Sequence, residues 1–196
     1  MVKIVVKNRN NTLNKPVMKK IISFIAILLA FGQLNAQFSK ASLQATGLTC
    51  AMCSNAINKA LQAKPFIQSV KSDIKNSSFS IVFKENADID LDELRKAVED
   101  AGFAIGTLKL TGDFNAVRIG DDAHVQIGSR HYHFLNATDH VLNGEQTITI
   151  VDKDFLTSKL FKKYSESSKM KCLTSGKAAS CCPGVAAGTK IYHAII

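Results

Sequence analysis

Between residues 40 and 110 the apolar residues switch repeatedly between two rhythms, and that succession admits few folds. In "ASLQAT", Leu43 and Ala45 alternate inward with period 2, as in a half-buried strand. Ile57, Ala60 and Leu61 then share one helical face, and Lys64-Pro65 ends that helix. "IQSVKSDI" and "SFSIVF" read as two strands joined by a turn at Lys75, Asn76 and Ser77, with Phe79, Ile81 and Phe83 alternating in the second. Asp90 is placed to cap a second helix, with Glu93 three residues on as in a capping box. Leu91, Leu94, Val98 and Ala101 form its apolar stripe, and Gly102 stands where a helix often ends. "AIGTLKL" closes the series as a strand. The order β-α-β-β-α-β is that of a ferredoxin-like unit, expected over residues 38–110.

Residues 111–196 have a different texture. "NAVRI", "HVQI", "HYHFLN" and "QTITIV" are short strand candidates separated by Gly, Asp and Asn. One helix is expected from Asp154 to Tyr164, and "KIYHAII" reads as a last strand. The stretch 166–190, rich in Ser, Lys, Gly and Ala, is expected to be the loosest part. The expectation is an α+β chain: a ferredoxin-like domain followed by a small β-rich one, a barrel or sandwich with an OB-like barrel among the candidates.

Residues 1–36 read as a leader. "MKK" at Met18 to Lys20 precedes an apolar run from Ile21 to Phe31 broken only by Ser23, and Ala36 offers a small residue for cleavage before Gln37. A run of about 11 residues suits a signal peptide and falls short of the ~20 that span a bilayer. A secreted or periplasmic location follows as an expectation, with the signal peptide handled by the secretion machinery. The leader also explains the charge. Of 25 Lys and Arg, six precede residue 37 and no Asp or Glu does, so the net +9 falls to +3 from Gln37 onward. That balance gives no footprint for nucleic acid.

"GLTCAMC", Gly47 to Cys53, sits where the first strand gives way to the first helix. A C-x-x-C pair there brings two sulfurs within reach of one small ion, and the helix N-terminus favours thiolate over thiol. Thiolates are soft ligands that select Cu(I) or Zn(II) over hard cations. The same pair could instead trade electrons or form a loop disulfide. Together with Ile57, Leu61, the two strands and "AGF" at Ala101 to Phe103, the motif resembles that of the heavy-metal-associated domain, the ferredoxin-like module of copper chaperones, periplasmic mercury-binding proteins and the N-terminal arms of copper-pumping ATPases. The usual G-M-T-C-x-x-C has Leu48 in place of its Met, a swap of similar volume. The resemblance implies that Cys50 and Cys53 are metal ligands. It implies Cu(I) first, with Zn(II) or Hg(II) as alternatives, and a membrane metal transporter or another envelope metal-binding protein as partner. Phe103 falls at a loop position near the metal where cytosolic chaperones commonly carry Lys, which argues against that subgroup.

Other candidates are weaker. His131 and His133 flank Tyr132 at strand spacing and would share a face able to bind Cu(II) or Zn(II). Cys172, Cys181 and Cys182 could hold a second ion, or Cys172 could pair with one of the other two. No phosphate loop, nucleophile elbow or HExxH motif occurs. The chain is therefore expected to bind and transfer or buffer a soft metal without being an enzyme. The alternatives are a thiol-disulfide oxidoreductase and an interaction module with structural disulfides.

Overall fold

The computed structural model describes residues 37–48, 50–120, 123–135, 137–168 and 170–196. The expected leader and cleavage site lie outside them. The elements run β1 (Gln37–Thr46), α1 (Ala51–Gln62), β2 (Ile67–Asp73), β3 (Ser78–Phe83), α2 (Leu91–Asp100), β4 (Ala104–Ile119), β5 (His124–Ile127), β6 (Arg130–Phe134) and β7 (His140–Ile150). A 3-10 turn (Lys153–Phe155), α3 (Ser158–Ser167), α4 (Lys171–Ser175) and β8 (Ile191–Ile195) complete the order.

The β-α-β-β-α-β succession appears as the periodicity predicts, and its four strands stand in the order β2-β3-β1-β4, all antiparallel. β1 explains why the sheet has an inside and an outside. Ala41, Leu43 and Ala45 are buried, whereas Lys40, Ser42 and Gln44 are exposed. Phe38 breaks strict alternation, and a register shift between Phe38 and Lys40 lets both Phe38 and Ala41 turn inward. Ile57 and Leu61 of α1, and Leu91, Leu94, Ala97 and Val98 of α2, complete that core. The Asp90 carboxylate accepts the N–H groups of Asp92 and Glu93. Glu93 reaches Lys64 rather than back to the cap, so only one half of the capping box forms. Asp90 also takes an ion pair from Arg130, 3.1 Å away. Asp90→Ala should therefore cost about 1–2 kcal/mol in chemical denaturation, most of it from the lost cap.

The residues after 110 depart from expectation. They build no separate OB-like barrel among the described residues; they extend the first sheet. β4 continues unbroken past residue 110, where a boundary was expected, and pairs with β1 on one edge and β7 on the other. The full order is β2-β3-β1-β4-β7-β8-β6-β5, antiparallel throughout except for β6 beside β8. The reason lies in β4 itself, since Leu108, Leu110, Gly112 and Phe114 keep one buried rhythm across that position. Their neighbours join one core: Phe38 meets Phe114 at 6.0 Å and Tyr132 at 5.5 Å between ring centroids. Polar ties add to it, as Lys190 and the Tyr192 hydroxyl both reach Asp92 on α2. The described residues from Gln37 onward fall in one compact unit.

Gly112 permits this shared strand. A Cβ there would lie 2.7 Å from the Gln37 carbonyl oxygen and 3.1 Å from Phe38 Cα, both backbone atoms. Gly112→Ala should force β1 and β4 apart and cost about 1–3 kcal/mol by thermal or denaturant melting.

The expected helix from Asp154 to Tyr164 is split. Phe155 closes the 3-10 turn into the core, Leu156 is extended, and Thr157 caps α3 by accepting the Leu160 N–H. Within the stretch 166–190, whose composition suggests little core contact, Cys172, Leu173, Ala178 and Cys182 are all buried. Among the described residues, no helix is long and apolar enough to cross a membrane.

Candidate metal centre

The first constellation is built where β1 hands over to α1. Gly47, at φ +73°, turns the chain in a conformation that L side chains rarely adopt. Leu48 then tucks into the core at 7% exposure. The β2–β3 turn pins the loop: the Ser77 hydroxyl donates to the Leu48 carbonyl, and the Ala45 N–H donates to the Ser77 carbonyl. Cys50 is the N-cap of α1, with extended backbone, and its sulfur accepts the Cys53 N–H at 3.2 Å. Its carbonyl accepts the Ser54 N–H, which starts the helix. The first turn of α1 carries no acidic residue, so nothing offsets the positive end of the helix dipole at the sulfurs.

Cys50 and Cys53 are half-buried, with Cα atoms 5.4 Å apart, and are joined as a disulfide. That is the oxidised form of the pair. The same closeness brings both sulfurs to one point once they are reduced. Cys53 packs against the core, whereas Met52 between them is 84% exposed. Phe103 is half-buried and packs against the core from the α2–β4 loop.

A second constellation lies in the later half. β6 and β8 run parallel with His133 opposite His193, and β5 sets His124 opposite His133 on the other side. The His124 and His133 rings stack at 4.1 Å. His133 and His193 are fully buried. Asp152, at the end of β7, accepts the His193 backbone N–H through one carboxylate oxygen and meets Nδ1 through the other, each at 2.7 Å. Cys172 on α4 brings its sulfur within 3.4 Å of His133 Nδ1. Cys181 and Cys182 follow in a turn, their sulfurs 3.7 Å apart.

Cys172, Cys181 and Cys182 are thiols here, not disulfides. Burial holds the Cys172 thiol well above its ordinary pKa, reinforced by hydrogen bonding with Cys181 and Cys182. Burial also opposes ionisation of Cys181, but hydrogen bonds from Cys172 and Cys182 outweigh it and lower its pKa.

The weaker sequence candidates thus separate. Cys172, Cys181, Cys182 and His133 come together, whereas His131 is half-exposed and joins no cluster of potential ligands among the described residues. Sequence reasoning missed His193 and Asp152. The available signal was a lone histidine inside the otherwise apolar strand "KIYHAII", a buried polar group that must find a partner.

Comparison with known proteins bears on the first constellation. Residues 42–104 match the family model described as the heavy-metal-associated domain. A probable copper-transporting ATPase, HMA5, of Arabidopsis thaliana is 32% identical over 71 residues, which are 36% of this chain and 7% of that protein. A copper-transporting ATPase of Helicobacter pylori is 35% identical over 65 residues, 33% of this chain and 9% of that protein. The chain spans less than a tenth of the length of these relatives. Among solved structures, a copper binding domain from HMA7, a P-type ATPase, is 29% identical, with 34% of this chain and 92% of that one covered at a TM-score of 0.31. Oxidised MerP from Ralstonia metallidurans CH34 is 24% identical over 36% of this chain and 94% of that one, at a TM-score of 0.32. Over residues 42–104, then, this chain carries a heavy-metal-associated domain.

Proposed function

We propose that this protein binds a soft metal ion, Cu(I) foremost, through the reduced thiolates of Cys50 and Cys53, and passes or buffers it outside the cytoplasm after cleavage at Ala36. The observation that carries this reading is the position of both sulfurs at the N-terminus of α1 within a heavy-metal-associated domain. The disulfide must first take two electrons and two protons from a dithiol reductant. The freed sulfurs, held near the positive helix end, with that of Cys50 already accepting the Cys53 N–H, then favour the thiolate. Two thiolates leave a Cu(I) ion open to a third sulfur. An acceptor's thiolate can therefore add before Cys50 or Cys53 departs, and no bare ion forms. Exposed Met52 gives such an acceptor an apolar contact beside the ion.

The acceptor on this reading is a membrane metal transporter or another envelope metal-binding protein. The protein itself performs no catalysis, and Zn(II) or Hg(II) are alternative cargoes. Titration of the reduced protein with Cu(I) against a chromophoric competitor tests it: the Cys50→Ser, Cys53→Ser double variant is expected to hold one tightly bound equivalent fewer than the parent.

The disulfide favours a second reading, a thiol-disulfide oxidoreductase. That reading predicts turnover in an insulin-reduction assay, lost with Cys50→Ser; the metal reading predicts none.

A further inference from the structure

We propose that His133, Cys172, His193 and a sulfur of the Cys181–Cys182 pair form a second metal site, for a thiophilic d10 cation, Cu(I) or Zn(II). It owes nothing to Cys50 and Cys53.

The ligand atoms of His133, Cys172 and His193 all lie within 4.8 Å of one another, and so do those of Cys172, Cys181 and Cys182. Cys172 belongs to both sets and is the hub. Its 3.4 Å approach to His133 Nδ1 is close to a donor spacing around a tetrahedral ion. Such an ion with metal–sulfur bonds of ~2.3 Å and metal–nitrogen bonds of ~2.0 Å sets its donors roughly 3.3–3.8 Å apart. Small side-chain rotations would bring the remaining atoms in.

His193 supplies the independent observation. Its ring is fully buried, and Nε2 has no hydrogen-bond partner among the described residues. Leaving such a group unsatisfied is costly, because burial removes the water that would otherwise pair with it. Asp152 occupies Nδ1 and fixes both the ring's orientation and its tautomer, which leaves the Nε2 lone pair as the available donor. A carboxylate behind an imidazole is the usual outer support of a metal-binding histidine. If these residues were only core packing, a buried His held so firmly would have no reason to keep a bare lone pair beside a buried thiol.

The donor chemistry limits the occupant. Two imidazoles and one or two thiolates suit Zn(II) or Cu(I) and disfavour Mg(II) or Ca(II). His133, Cys172, His193 and Cys182 are buried, whereas Cys181 is half-exposed and marks the side from which an ion enters.

The test uses the full mature chain, reduced, with Cys50→Ser and Cys53→Ser so that the first site is gone. Zn(II) and Cu(I) are offered separately under buffered competition, and the retained metal is examined by X-ray absorption. One equivalent of either ion with a mixed nitrogen and sulfur shell is expected, and the more tightly retained ion is the preferred occupant. His193→Gln should weaken retention more than about 10-fold, and Asp152→Asn by about 10–100-fold, with the protein still folded by circular dichroism. Cys181→Ser, at a half-exposed position, provides a sulfur variant that does not open the core. No retained equivalent of either ion overturns the proposal. So does a shell of sulfur alone with retention unchanged in His193→Gln. Either result leaves the reading of Cys50 and Cys53 standing, and failure of that reading leaves this site intact.

Discussion

Cys50→Ser is expected to lower the affinity of the Cys50–Cys53 site for Cu(I) by more than about 100-fold, beyond what loss of an outer-sphere partner costs a metal site. The reasoning is one of ligand count. A pair of thiolates holds the ion from two sides, and serine replaces one with a hard, protonated oxygen that Cu(I) does not favour. The variant separates chemistry from folding. Cys50 is the N-cap of α1 and its sulfur accepts the Cys53 N–H, a role serine performs at least as well. Thermal stability of the reduced variant should therefore equal or exceed that of the reduced parent while copper affinity collapses. Competition titration and a melting curve on the same sample check both halves of the statement.

Phe79→Ala is the second large effect. Phe79 is fully buried on β3, opposite Leu43 of β1 and Ser72 of β2. Removing its ring from this core should cost about 3–5 kcal/mol. The reporter matters as much as the size. The chain has three tyrosines and no tryptophan, and Tyr132, Tyr164 and Tyr192 all follow residue 110. Tyrosine fluorescence therefore watches the later half while the substitution sits in the earlier one. Because β4 belongs to both, and Tyr132 packs on Phe38, the tyrosine midpoint should fall together with the far-ultraviolet circular dichroism midpoint. An unmoved tyrosine transition would mean that the two halves melt independently.

What could be read from sequence followed local rhythm. The strands and helices of residues 40–104 announce themselves through short-range periodicity. Asp90 as a cap is likewise settled by near neighbours. Beyond residue 110 the decisive facts are long-range. Residues 131–134 pair in parallel with residues 191–194, and nothing in either stretch names the other. That pairing brings His133 to His193, so a reading confined to "HYHFLN" offered His131 as the companion instead. The separate barrel failed for a related reason: turn residues between short strands say where a chain bends, not which edge it returns to. The C-x-x-C motif was legible because its chemistry is compressed into four consecutive residues at one helix end.

The central claim is that Cys50 and Cys53 act together on one ion, and protection of thiols from alkylation tests it most directly. Reduced protein would be treated with iodoacetamide in the presence and absence of two equivalents of Cu(I), enough for both proposed sites, and each cysteine's labelling followed by mass spectrometry. The account predicts that copper slows labelling of Cys50 and Cys53 in parallel. Labelling of both at the same rate with and without copper would contradict it.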